Sequence, residues 1–202
     1  MSPPWNKNVE SLIRAIVAKN HDVAGPFLVA IDGRSGAGKS TLARTIAQRL
    51  NAQIISGDDF FTGGEGILDE PADVLAEICI DWRALRNVLE KLHVSEPASF
   101  YPYDWGAFDG SKSSIETLVE PCEIVVIEGV YAARPELRDF LDLTVLIEVP
   151  EEERLKRLVR REGGLSVWEQ QWHRAEDWYF ENLAPPHSFD LLLSDATVSP
   201  QL

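Results

Sequence analysis

The chain is poor in the residues that would direct it to several common classes. It has two cysteines, Cys79 and Cys122, in 202 residues. Their separation matches neither a metal-ligand nor a dithiol spacing, so a disulfide scaffold and a thiolate metal site are excluded and a reduced, intracellular setting is expected. No apolar run approaches the roughly 20 residues that span a bilayer. The opening MSPPWNKNVE lacks the charged-then-apolar pattern of a signal peptide, which predicts a cytoplasmic protein. His21, His93, His173 and His187 stand alone, without a partner pattern. Positive charge is also scarce: 19 Lys and Arg against 33 Asp and Glu give a net charge of −14. An acidic surface repels nucleic-acid backbones and anionic membranes, so neither is expected as a partner. No internal repeat or low-complexity tract is present, and nothing in the composition speaks against a homo-oligomer.

What remains is ordinary for one globular domain: 45% hydrophobic and 26% charged residues. Val9, Leu12, Ile13 and Ile16 recur at helical spacing and predict a helix over residues 6–19. A short apolar run at 27–31 reads as a buried strand, and further strands are expected at 53–56, 124–127, 143–149 and 191–193. Between them, helices are expected at 41–50, 81–92, 135–140, 151–162 and 165–183, with a long loop over 57–70 and an irregular, aromatic stretch over 95–112. Continuous apolar strands alternating with helices predict an α/β fold whose parallel sheet is covered on both faces.

The strand at 27–32 runs directly into Gly33-Arg34-Ser35-Gly36-Ala37-Gly38-Lys39-Ser40, and a helix follows from Thr41. A Gly, four residues and then Gly-Lys-Ser is the P-loop pattern. Glycines allow the backbone to bring its N–H groups onto phosphate oxygens, and the helix N-terminus adds partial positive charge there. Residues 33–41 are therefore the expected nucleotide cradle. Within it Lys39 is expected to reach the β- and γ-phosphates, and Ser40 to ligate magnesium. The glycine spacing does not fit a dinucleotide-binding turn. Guanine specificity is disfavoured too: the one Asn-Lys pair, Asn6-Lys7, precedes the loop and is followed by Asn8-Val9.

Phosphoryl transfer also needs an acid–base group and positive charge over the transferred phosphoryl. Asp58 and Asp59 follow the second strand at the edge where α/β sheets bind ligands, flanked by Phe60 and Phe61; at least one of these carboxylates is expected to act on a hydroxyl. Glu128 ends a buried strand, where a P-loop fold carries a magnesium- or water-orienting acid. Arg154, Arg157 and Arg161 share one face of the helix at 151–162, beside Lys156 and Arg160, and form the dense cationic cluster of an otherwise acidic chain. The segment FYPYDWGAF at 100–108 offers aromatic walls for a ring-bearing ligand.

With GRSGAGKS, SGDDFF, YPYDW, IEGVY and ERLKRLVRRE in this order, the chain resembles the uridine kinase-like family of P-loop kinases, which includes nucleoside, nicotinamide riboside and pantothenate kinases. The resemblance covers most of residues 27–195. It implies a P-loop NTPase fold with a five-stranded parallel sheet and a helical lid at about 151–165. The whole chain would form a single kinase domain with a substrate lobe at about 57–112. ATP and Mg²⁺ would be the cofactors. The resemblance assigns the base to Asp58 ahead of Asp59, the lid arginines to Arg157 and Arg161, the metal-side acid to Glu128, and acceptor contacts to Asp59, Phe60, Tyr103 and Asp104. It also implies adenine near Ser194-Asp195-Ala196. Two departures concern the acceptor: Glu162-Gly163-Gly164-Leu165 stands where uridine kinases carry Arg-Gly-Arg, and WHRAEDWY at 172–179 is not a uridine kinase pattern. The expected activity is transfer of the γ-phosphoryl of ATP to a hydroxyl of a nucleoside or similar small metabolite. The alternatives are a kinase for a sugar, pantothenate or antibiotic, and a P-loop ATPase that acts with a protein partner.

Overall fold

The computed structural model describes residues 3–20, 25–64, 67, 69–163 and 167–194. In chain order the elements are α1 (Pro3–Asn20), β1 (Phe27–Asp32), α2 (Lys39–Leu50), β2 (Gln53–Ser56), α3 (Ala72–Ile78), α4 (Trp82–His93), β3 (Ala98–Phe100), β4 (Thr117–Val119), β5 (Ile124–Glu128), β6 (Leu143–Glu148), α5 (Glu151–Glu162), α6 (Val167–Asn182) and β7 (Leu191–Ser194). Five strands form one parallel sheet in the order β2-β5-β1-β6-β7. Val29 of the central strand lies opposite Val126 on one side and Leu143 on the other.

The side chains of β1 are buried along its whole length, as a strand covered on both faces requires. Their alternation divides the core in two. Phe27, Val29 and Ile31, with Val126, Val145 and Ile147, meet Val9, Leu12 and Ile16 of α1 and Leu42 and Ile46 of α2. Leu28 and Ala30, with Val125, Ile127 and Leu146, face a second core that holds Leu85, Leu89 and Leu92 of α4 and Tyr179 and Phe180 of α6. Helix α4 begins where Asp81 caps it, accepting from the Ala84 N–H at 3.0 Å, and buries Leu85, Val88, Leu89 and Leu92 along one stripe. The expected α/β architecture, with five parallel strands and helices on both faces, is the one found.

Local differences concern short elements. The first helix extends over 3–20 rather than 6–19. Helix α3 was not expected, and the stretch read as irregular over 95–112 contains β3, which pairs antiparallel with β4 as a two-stranded hairpin. Helix α5 covers the expected 151–162 and is capped by Gly163 with φ 81°, while Gly164 and Leu165 lie outside the described residues, as do Asp195 and Ala196.

Candidate active site

The carboxyl end of β1 delivers Asp32 into the interior, fully buried. Its carboxylate accepts from the N–H groups of Gly33 at 2.7 Å, Tyr131 at 3.1 Å and Ala133 at 3.0 Å, and from the Tyr179 hydroxyl at 2.9 Å. Burial pushes this carboxyl above its usual range, and the N–H donors, Lys39 and Tyr179 pull it back. Asp32 thereby fixes the start of the P-loop to the segment after β5.

The loop itself is tightly held. Gly36 has φ +79°, and a Cβ there would lie 2.8 Å from the Arg154 carbonyl oxygen, so only glycine lets α5 come this close. A Cβ on Gly38 would meet the Trp5 ring at 3.1 Å, which shows α1 packed against the loop from the other side. Lys39 is buried, and its Nζ donates to the carbonyls of Gly33 at 2.7 Å and Arg34 at 3.2 Å. Arg154 donates to the Ser35 carbonyl at 2.9 Å, and Arg157 to the carbonyls of Gly36 and Ala37 at 3.4 and 3.5 Å. The arginine face of α5 therefore lies directly over the phosphate cradle.

A cavity of about 770 Å³ opens there. Its phosphate end is lined by Ser35, Gly36, Gly38, Lys39, Ser40 and Thr41, together with Arg44, Arg157 and Arg161. Glu128 and Asp58 line it from the ends of β5 and β2. Ser40 donates to Glu128 at 3.1 Å. Burial pushes the Glu128 carboxyl above the usual carboxylate range; Lys39 opposes the shift and the neighbouring Asp58 adds to it. Hydroxyl and carboxylate oxygens are the hard donors that Mg²⁺ prefers. Among the described residues no group of three or more His, Cys, Asp or Glu side chains could hold a metal ion. Ser40 and Glu128 are the oxygen donors here that would fit such a cation.

The opposite end is largely aromatic: Phe61, Trp105 and Trp172 line it, with Val130, Glu169 and His173 beside them. Phe61 stacks on Trp105 at 5.2 Å and meets Trp172 edge-on at 5.6 Å. Several expected residues sit elsewhere. Gly33 and Ala37 do not line the cavity: the first presents its carbonyl to Lys39, and the second is buried against the α1 and α2 side of the core. Phe60 is buried against Phe100, with rings 4.5 Å apart. Tyr103 is buried with its hydroxyl on the Gly63 carbonyl at 2.8 Å, and Asp104 accepts from Gly106 and Ala107 within its own turn. Asp59 is half-buried; burial and Asp58 push its carboxyl up while Lys112 opposes. The wall residues contributed by α6 are not evident in the sequence, where His173 carries no signal. Their spacing, with 169, 172 and 173 on successive turns, is the clue it offers.

Comparison with known proteins bears on the family and the fold. A family model described as an AAA domain matches residues 29–167. A uridine kinase of Halobacterium salinarum is 28% identical over 145 residues, 67% of this chain and 62% of its own length. Uridine-cytidine kinase C of Dictyostelium discoideum is 34% identical over 149 residues, 71% of this chain and 32% of its own. The chain thus spans less than two thirds of either relative. A uridine kinase of Oceanobacillus iheyensis is 27% identical over 172 residues, 80% of this chain and 79% of its own. Among solved structures, one described as a possible uridine kinase from Bacillus stearothermophilus superposes with a TM-score of 0.71 at 23% identity, covering 93% of this chain and 98% of that one. The D-glycerate 3-kinase of Cryptococcus neoformans gives 0.61 at 16% identity, covering 91% and 89%. Both structures share the fold, and the resemblance expected from the sequence motifs is met by the relatives.

Proposed function

The chain belongs to the AAA domain family of P-loop proteins, and we propose that it is an ATP-dependent kinase that transfers the γ-phosphoryl group to a hydroxyl of a nucleoside or nucleoside-like metabolite. One observation carries the reading: the phosphate loop, the lid arginines, the Asp58 carboxylate and an aromatic wall all line a single cavity. A stand-alone ATPase has no need of that wall.

In this mechanism the acceptor lies along Phe61, Trp105 and Trp172 with its hydroxyl at Asp58. Asp58 takes the hydroxyl proton as the acceptor oxygen bonds to the γ-phosphorus, and the bond to the β–γ bridging oxygen breaks to release ADP. Lys39, Arg157 and Arg161 balance the charge that spreads over the phosphoryl oxygens. Ser40 and Glu128 would hold Mg²⁺, which would supply charge neutralisation for the transferred group. Within this reading, residues at about 57–112 would form the substrate lobe and those at about 151–165 the lid. It works in the cytoplasm on a small molecule.

A second acceptor class, a sugar or another ring-bearing hydroxyl metabolite, is favoured by one feature: Tyr103 and Asp104, the nucleoside contacts of the resembling family, are engaged in their own lobe, and Trp105, Trp172 and His173 line the cavity instead. ATP consumption with magnesium, measured against nucleosides, nicotinamide riboside, pantothenate, sugars and aminoglycosides, separates the readings. Acceptor-dependent turnover names the class, whereas steady hydrolysis indifferent to every acceptor rejects the kinase.

A further inference from the structure

Helix α6 touches the acceptor wall and the phosphate loop at once. Glu169, Trp172 and His173 line the cavity. One turn further, Glu176 is fully buried; its carboxylate accepts from the Ser35 backbone N–H at 3.0 Å and from the Ser35 hydroxyl. Beyond it, Tyr179 donates to Asp32 at 2.9 Å, at the strand end from which the loop departs. The lid reaches the same serine from its other side, because Arg154 donates to the Ser35 carbonyl at 2.9 Å. Ser35 is thus gripped through its N–H and hydroxyl by the wall helix, and through its C=O by the lid helix.

We propose that Glu176 is a positioning residue that couples the acceptor wall to the phosphate loop and the lid. The stripe of α6 residues 172, 176 and 179 is packed from the cavity down to Asp32, and close-packed interiors transmit a displacement rather than absorb it. A molecule seated on Trp172 shifts α6, the Glu176 carboxylate carries that shift to Ser35, and the Ser35 carbonyl carries it to Arg154. Linkage makes the effect reciprocal, so nucleotide in the loop must also alter the wall. Arg34 also ties the loop to α6, through Asp177 at 2.7 Å and over the Phe180 ring at 4.8 Å, but its ion pair is more exposed and contributes little by comparison. Removing charge from a buried carboxylate that accepts two bonds from one residue has the larger effect. In an enzyme of the proposed kind, this coupling would hold phosphoryl transfer back until the acceptor is in place.

The inference rests on the kinase reading only for that benefit, and its test needs no acceptor. The full chain is labelled with 5-fluorotryptophan, the Trp172 resonance is assigned with Trp172→Phe, and Mg²⁺ with a non-hydrolysable ATP analogue is titrated in. The wild-type Trp172 resonance should shift on binding. In Glu176→Gln the shift should fall by at least half at saturating nucleotide, with affinity lowered by about tenfold or less. Ser35→Ala should also lose part of the shift, and the double variant should lose no more than Glu176→Gln alone. Should Glu176→Gln fail to fold, Ser35→Ala, which removes one hydroxyl, carries the test by itself. A full-sized Trp172 shift in nucleotide-bound Ser35→Ala and Glu176→Gln, additive losses in the double variant, or no wild-type response would each overturn the proposal. Failure of the kinase reading would appear separately, as wild-type turnover indifferent to every acceptor with the Trp172 coupling intact.

Discussion

The Ser40 hydroxyl donates to Glu128 at 3.1 Å, joining the first turn of α2 to the carboxyl end of β5 across 88 positions of sequence. The two groups should act as one unit toward Mg²⁺. Ser40→Ala and Glu128→Gln should each raise the magnesium concentration for half-maximal ATP turnover by about 10- to 100-fold. The double variant should fall well short of the product of the two effects. Fully multiplicative losses would mean that the groups serve separate ends, and turnover unaffected by a magnesium chelator would remove both from a metal site.

Lys39 and the α5 arginines should separate by what they stabilise. Lys39 reaches into the loop from the first residue of α2, and Lys39→Ala should abolish turnover. Arg157→Ala or Arg161→Ala should lower kcat on the order of 10³-fold, the scale of an arginine that meets developing charge. Nucleotide affinity should fall much less. Calorimetric titration beside steady-state kinetics checks this, and the reverse pattern would make the arginines ground-state contacts.

How far the site is legible in the sequence follows from how local each part is. The P-loop is a run of consecutive residues between a strand and a helix, so its chemistry can be read from residue order alone. Glu128 is legible because a buried strand ends at it, Asp58 because it follows the short strand β2 by two residues, and the arginine face because α5 is a regular helix. The acceptor wall is not. Phe61, Trp105 and Trp172 come from three separate segments, and only tertiary packing brings them together. Which aromatic of residues 100–108 faces the cavity depends on the turn that Asp104 closes by accepting from Gly106 and Ala107. That turn buries Tyr103 and leaves Trp105 on the cavity, a choice no periodicity encodes. The seven-residue helix α3 and the three-residue strands of the hairpin are likewise too short to show a period.

Asp59 gives a pH-dependent signature. Burial and the Asp58 charge raise its folded pKa, so the folded chain holds that proton more tightly than the unfolded one. Its contribution to stability is therefore complete below the ordinary aspartate pKa of 3.8 and is lost as pH rises through the folded value. Asp59→Asn should accordingly raise the urea midpoint at pH 7, and the gain should shrink as the solution is acidified toward pH ~4. A gain that grows on acidification would contradict the sign.

Cys79 is buried in the core and its thiol is pushed up to about 12, so little thiolate exists near neutrality. Cys122 is only partly buried. Iodoacetamide at pH 8 should label Cys122 first in the native chain and reach Cys79 only on unfolding, as peptide mass spectrometry would read. Equal labelling would show that the core around Cys79 opens under native conditions.

Asp58 bears the central claim. The direct measurement follows label from γ-labelled ATP into the acceptor that stimulates wild-type turnover, in wild type and Asp58→Asn. The account predicts a labelled phosphate ester from the wild type, and a loss of about 100-fold or more in the variant with ATP binding retained. Label appearing only as inorganic phosphate, at equal rates in both proteins, would contradict it.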